Sequence, residues 1–217
     1  DESLNMDINK TIDFLKFETI TKKVNNEIIT INKKTNRKIT AIIIVHTFGN
    51  PVNFLRLIEI CKNKNIKIIE DAAESLGSYI NIKNTSKHLG TLGDYGCLSF
   101  NGNKLVTSGG GGIILTNNKK IYQRLLHIST QSKIDSVNFK HDSIGYNLRM
   151  NNIQAALGLA QLENLSIFLS RKKNIHELYN KLFNKSYNFK ILSNSFGQSN
   201  NWINILKFNN KKIKKEV

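Results

Sequence analysis

The chain has 217 residues, 40% of them apolar, and sets 32 Lys and Arg against 16 Asp and Glu for a formal charge of +16. That is enough chain and apolar content to bury a real core, as one sizeable α/β domain or as one domain with a piece of another. The lysines are spread among Asn and Ile without a recognition helix, zinc-finger spacing or aromatic–basic interleaving, which argues against nucleic-acid binding; no run approaches the roughly 18 apolar residues of a membrane span.

Ile8, Ile12 and Leu15 follow Asp7 at helical spacing, which predicts a short helix capped by Asp7. Residues 19 to 39 are polar and rich in Asn and Lys, fit for a surface hairpin or loop. Ala41 to Val45 is a continuous β-branched run, the pattern of a strand buried on both faces. Gly49-Asn50-Pro51 breaks it, and Phe54, Leu55, Ile58 and Cys61 mark one face of a helix. A second apolar strand spans Ile66 to Ile69, so residues 41 to 70 form a β-α-β unit, parallel and right-handed. Asp71 stands at the carboxyl end of that second strand and His46 at the end of the first, where parallel sheets bind ligands; for His46 a structural role is the favoured reading. Loops or hairpins fill 77 to 94. A third strand covers Tyr95 to Phe100, a fourth Ile113 to Thr116, and a helix Lys119 to Ile128. From Met150, the spacing of Ile153, Leu157, Ala160, Leu165, Phe168 and Leu169 predicts one long helix to about Phe183. Trp202 to Leu206 reads as the opening strand of another layer.

Cys61 and Cys97 lie far apart in a cysteine-poor chain and read as buried reduced thiols, not as a disulfide or metal site. With no signal peptide in view, a cytoplasmic location is expected. The chain opens on Asp1 and closes on Val217 after a basic run, so neither end reads as a native terminus.

Lys104 follows Gly96-Cys-Leu-Ser-Phe-Asn-Gly-Asn and precedes the glycines Gly109 to Gly112. A lysine amine and the Asp71 carboxylate across one pocket are what pyridoxal phosphate (PLP) chemistry needs. The amine forms a Schiff base with the cofactor aldehyde, and the carboxylate keeps the pyridine nitrogen protonated.

Five segments in order, Ile69-Glu-Asp-Ala-Ala-Glu74, Gly93-Asp94, Ser99-Phe-Asn-Gly-Asn-Lys104, Thr107-Ser-Gly-Gly-Gly-Gly112 and Gly145-Tyr-Asn-Leu-Arg-Met150, with Ile153-Gln-Ala-Ala-Leu-Gly158 following, resemble the DegT/DnrJ/EryC1/StrS aminotransferases. Val45-His-Thr-Phe-Gly49 and Thr130-Gln131 look most like the branch serving legionaminic acid and related 4-amino sugars. The resemblance runs from about residue 1 to about residue 206. It implies an α/β fold of PLP aminotransferase type I, with a mostly parallel central sheet and flanking helices. Residues 1–183 would belong to the large PLP-binding domain, including its long C-terminal helix, and 184–217 would begin a truncated small domain. It further implies that Lys104 carries the cofactor, Asp71 partners the pyridine nitrogen and Ser99 bonds the phosphate. Asn147 would reach the phosphate of a neighbouring subunit, giving a homodimer with a shared active site.

Family members often carry Gln or His where this chain has Glu74. A carboxylate beside the cofactor's phenolic oxygen would be repulsive, so either a proton is shared there or Glu74 points elsewhere. Arg149 stays open between an interface, a substrate and a structural role. The implied reaction moves an amino group, from glutamate, to a 4-keto-6-deoxy nucleotide sugar, an anionic substrate that a basic surface favours. Lysine at position 104 argues against the dehydratase relatives, which carry His. Relatives also have a long N-terminal portion before the segment matching Asp1, so the chain is expected to be a fragment holding the lysine half of the site. The alternative is a catalytically incompetent, degenerate aminotransferase-like fragment that serves in binding or regulation or has no independent role.

Overall fold

The computed structural model describes residues 3–135, 137–183, 189–193 and 196–208. Helix α1 (Ile8–Phe17) starts where the Asp7 carboxylate accepts the Lys10 amide at 3.0 Å, and it buries Ile12 and Leu15. Strands β1 (Thr19–Val24) and β2 (Glu27–Asn32) form a hairpin whose two-residue turn, Asn25-Asn26, has positive φ at both positions. The expected surface hairpin is therefore present. A short third strand, β3 (Lys38–Ile39), extends it.

The central sheet has the order β4 (Ala41–Val45), β5 (Lys67–Asp71), β8 (Tyr95–Ser99), β9 (Gly112–Leu115). The first three strands are parallel and β9 runs against β8. Helix α2 (Leu55–Asn63) is the crossover from β4 to β5. Its Leu57 and Cys61 pack with Ile12, Leu15, Ile44, Phe54 and Ile68 in the main core. Full burial of a side chain such as Phe54 or Leu57 stabilises by about 1.5–3 kcal/mol. Between β5 and β8 lies a second hairpin, β6 (Tyr79–Ile82) with β7 (Thr85–His88).

After β9 come α3 (Lys119–Ser129), capped by Asn118, and the small pair β10 (Lys133–Asp135) and β11 (Lys140–His141). Helix α4 (Asn152–Glu163) opens on an Asn151–Gln154 capping box, and α5 (Leu165–Phe183) follows. Strands β12 (Phe189–Ile191) and β13 (Leu206–Phe208) pair antiparallel. No helix among the described residues is long and apolar enough to cross a membrane.

Three expectations are corrected. Strand β4 is buried on one face only: Ile44 is fully buried, but Ile43 and Val45 are 54% and 43% exposed, because no described element packs over them. The predicted single helix from Met150 is two helices. Asn164 separates them, its amide donating to Gln161 and its side chain to the Ala160 carbonyl at 2.9 Å, bonds that compete with helix continuation. The final strand begins at Leu206, not Trp202. The expected boundary at 184 falls partly on residues 184–188, outside the described ones. Within the described segment that follows, Gln198 exchanges backbone hydrogen bonds with Tyr79.

Candidate active site

Strand β5 ends at Asp71, level with Val45 of β4 and Cys97 of β8, so the carboxyl ends of three parallel strands meet on one rim. Asp71 Oδ1 accepts the Ala73 amide at 3.2 Å, which turns the chain toward Glu74. Burial, and then the negative charge of Asp71, push the Cys97 thiol up from its ordinary value.

Strand β8 ends at Ser99. The Phe100 amide donates to Gly111 and the Ser108 amide to Phe100, each at 3.0 Å, pinning the base of the loop that carries Lys104. Gly111, at φ +85, is needed here: a Cβ would lie 2.9 Å from Met150 Cε. The Lys104 side chain is 14% exposed, with Nζ 3.4 Å from Glu74 Oε1. The same Nζ stands 4.5 Å from the centre of the Trp202 ring. Glu74 Oε2 accepts the Phe48 amide at 2.7 Å, and Phe48 is held at φ 60, an uncommon conformation for a bulky residue. Both Glu74 oxygens thus act as acceptors. The Glu74 side chain therefore faces Lys104 through one oxygen and the Phe48 amide through the other.

Ala73, Glu74, Ser99, Lys104, Asn200 and Trp202 line one cleft. On the other side of Lys104 and Trp202, a cavity of about 390 Å³ lies against Phe168, Arg171 and Ile175 of α5. A larger cavity, about 470 Å³, sits at the opposite end of β5 beside Lys67 and Asp94. It lies at the amino ends of the strands, away from Lys104, and is set aside on that ground.

The structure therefore brings Lys104, Glu74 and Ser99 together, with Asp71 at the strand end two residues before Ala73. Asn147 is not among the residues lining the cleft: it is exposed and bridged to Thr130, and Arg149 is exposed as well. His46 is structural. It is buried, with Nδ1 accepting the Val52 amide and Nε2 facing Glu70. Sequence reasoning passed over Glu70 itself, whose signal was a charge two positions after Ile68, on the same buried face of an apolar strand. It also passed over Asn200 and Trp202 as parts of the site. The one tryptophan of the chain was the available signal, read instead as a strand residue.

PLP calls for an amine at its aldehyde, an acid at its ring nitrogen and hydrogen-bond donors at its phosphate. The residue types fit that set: a lysine amine and a serine hydroxyl line one cleft, and an aspartate ends β5 two residues before Ala73 of that cleft. Sheet and cleft together define the class, a fold-type I PLP aminotransferase architecture. The chain belongs to the DegT/DnrJ/EryC1/StrS aminotransferase family, which it matches over residues 10–216.

It is 44% identical over 154 residues to the GDP-perosamine synthase of Escherichia coli O157:H7, covering 71% of this chain and 41% of that protein. The Vibrio cholerae GDP-perosamine synthase is 36% identical over 149 residues, 69% of this chain and 40% of that protein. Among solved structures, PseC of Helicobacter pylori, an aminotransferase involved in pseudoaminic acid biosynthesis, superposes with a TM-score of 0.81 at 23% identity, over 100% of this chain and 53% of that one. The E. coli GDP-4-keto-6-deoxy-D-mannose-3-dehydratase with bound hydrated PLP gives 0.76 at 25% identity, over 99% of this chain and 54% of that one. The chain spans about two fifths of the length of these curated relatives and about half of these solved chains.

Proposed function

We propose that this chain forms the lysine-bearing half of an aminotransferase that uses pyridoxal 5′-phosphate to move an amino group from glutamate onto a 4-keto-6-deoxy nucleotide sugar. The observation that carries the reading is the Lys104 amine, half-buried in a cleft at the carboxyl end of the sheet and 3.4 Å from Glu74. When bound, the cofactor supplies an electron sink for negative charge at the carbon that bears the amino group. Lys104 would hold it through the amine, Asp71 would keep a proton on its ring nitrogen and the Ser99 hydroxyl would donate to its phosphate. Once freed, the Lys104 amine moves the proton at the donor's α-carbon, and Glu74 balances its charge when it is protonated.

Asn147 would act from a second copy of the chain. Its exposure supports this, as does the apolar surface around it, where Ile144, Tyr146 and Leu148 are 84%, 55% and 72% exposed. For the sugar, the two GDP-perosamine synthases favour a GDP-linked substrate. A narrower place in the legionaminic-acid branch rests on the wording of Val45 to Gly49 and of Thr130-Gln131. A Campylobacter jejuni UDP-4-amino-4,6-dideoxy-N-acetyl-beta-L-altrosamine transaminase, 30% identical, keeps UDP-sugars in the test.

The test is glutamate-dependent amination of GDP- and UDP-linked 4-keto-6-deoxy sugars by the chain completed with the portions its relatives carry beyond it. Amino-sugar formation, abolished by Lys104→Ala, is expected. No turnover with any keto-sugar nucleotide would overturn the enzyme reading.

A further inference from the structure

Trp202 lies 98 positions after Lys104 in the chain yet is built into the same site. The residue is 9% exposed, and its ring sits with its face toward the Lys104 ammonium, at the range of a cation–π contact. Three hydrogen bonds fix it there. The indole N–H donates to the Asn103 carbonyl at 2.8 Å, one residue before Lys104. The Trp202 amide donates to Asn200 Oδ1 at 3.0 Å, and its carbonyl accepts from Lys172 of α5 at 2.9 Å. Asn200 in turn, 2% exposed, donates through Nδ2 to the Glu74 and Leu76 carbonyls at 2.8 and 2.9 Å. The segment that holds the indole therefore also holds the backbone of the lysine's counter-ion.

We propose that Trp202 is a positioning residue for Lys104, its indole face holding the amine on one side while Glu74 holds it on the other, so that the amine is aimed into the cleft. This rests on the reading of Lys104 as the cofactor lysine for its consequence, but not for its geometry. Without the ring, the flexible four-carbon stem can leave the cleft for the cavity against α5, which Lys104 and Trp202 also line.

The test is reductive ¹³C-methylation of the 217-residue chain followed by proton–carbon correlation NMR. One dimethyl-lysine resonance should stand upfield of the others from the indole ring current and vanish in Lys104→Ala, which assigns it. It should fall back among the other lysines in Trp202→Leu and stay displaced in Trp202→Phe. A Lys104 resonance inside the common cluster in the folded wild type would overturn the proposal, whether or not the Leu variant folds. In parallel, PLP with borohydride should label Lys104 in the wild type, and the share at Lys104 should fall roughly two- to thirtyfold in Trp202→Leu, the range of one cation–π contact. An unchanged share in a folded Trp202→Leu chain would also overturn it. A displaced resonance with no PLP on Lys104 in the wild type would support the placement and instead sink the cofactor reading.

Discussion

The Nε2 atom of His46 lies 3.1 Å from Oε2 of Glu70, and neither side chain has any exposure to solvent. The rest of the Glu70 carboxylate is saturated: Oε2 also accepts the Gly90 amide, and Oε1 accepts those of Leu92 and Gly93, at 2.7–2.8 Å. Glu70 thus ties the end of β4 to the loop that leads into β8, next to Asp71. Burial alone would raise its pKa. The bonds from His46 and from the Gly93 and Gly90 amides outweigh burial and hold it below the ordinary 4.5.

Glu70→Gln places an NH₂ group against amide donors and should destabilise the fold by about 3 kcal/mol, near the low end for breaking a buried pair. The pH dependence has a definite sign. Because the folded value is depressed, the unfolded chain binds more protons on acidification. The Glu70 contribution is therefore complete above pH 4.5 and is lost as pH falls from there through the folded value. Denaturant midpoints between pH 7 and pH 3 should fall less steeply in Glu70→Gln than in the wild type. Parallel curves would show that Glu70 is not held in this way.

Gly49 couples the loop after β4 to the site. It sits at φ +76, and a Cβ there would lie 2.6 Å from the Glu74 carbonyl and run into the Asn200 side chain. Gly49→Ala should cost about 1–3 kcal/mol for the left-handed backbone alone, with the clash added. Thermal unfolding would register the loss. A variant as stable as the wild type would mean that the Asn200 clamp on Glu74 is looser than described.

The two thiols should differ in reactivity. Burial, with Asp94 adding to it, pushes the Cys61 thiol up to about 11, and the side chain is enclosed by α2 and its neighbours. Cys97 is half-buried and raised less. At pH 8 a disulfide reagent should modify Cys97 first and reach Cys61 only with unfolding. Stopped-flow absorbance with and without denaturant reads both phases, and fast reaction of Cys61 in the native chain would contradict the packing.

Much of this was legible in the residues. The run Ala41 to Val45, the Gly49-Asn50-Pro51 break and the apolar face to Cys61 give the β4-α2-β5 unit, because strand and helix periods differ and turn residues punctuate them. Lys104 stood out through its serine and glycine neighbours. Other features depend on contacts far along the chain. An isoleucine run states that its faces are apolar, not which is covered, and so Ile43 and Val45 were misjudged. The break at Asn164 comes from a side-chain bond to Ala160 that helical spacing cannot register. Trp202 was read as a strand residue because its partners, Asn103 and Lys104, lie about a hundred positions away.

The central claim is that Lys104 is the cofactor lysine, and the most direct measurement is the absorbance of the purified chain with PLP, before and after borohydride, beside Lys104→Ala. A visible band that reduction converts into a permanent label on Lys104, absent from the variant, is the predicted result. A label scattered over other lysines, with the variant indistinguishable from the wild type, would contradict it.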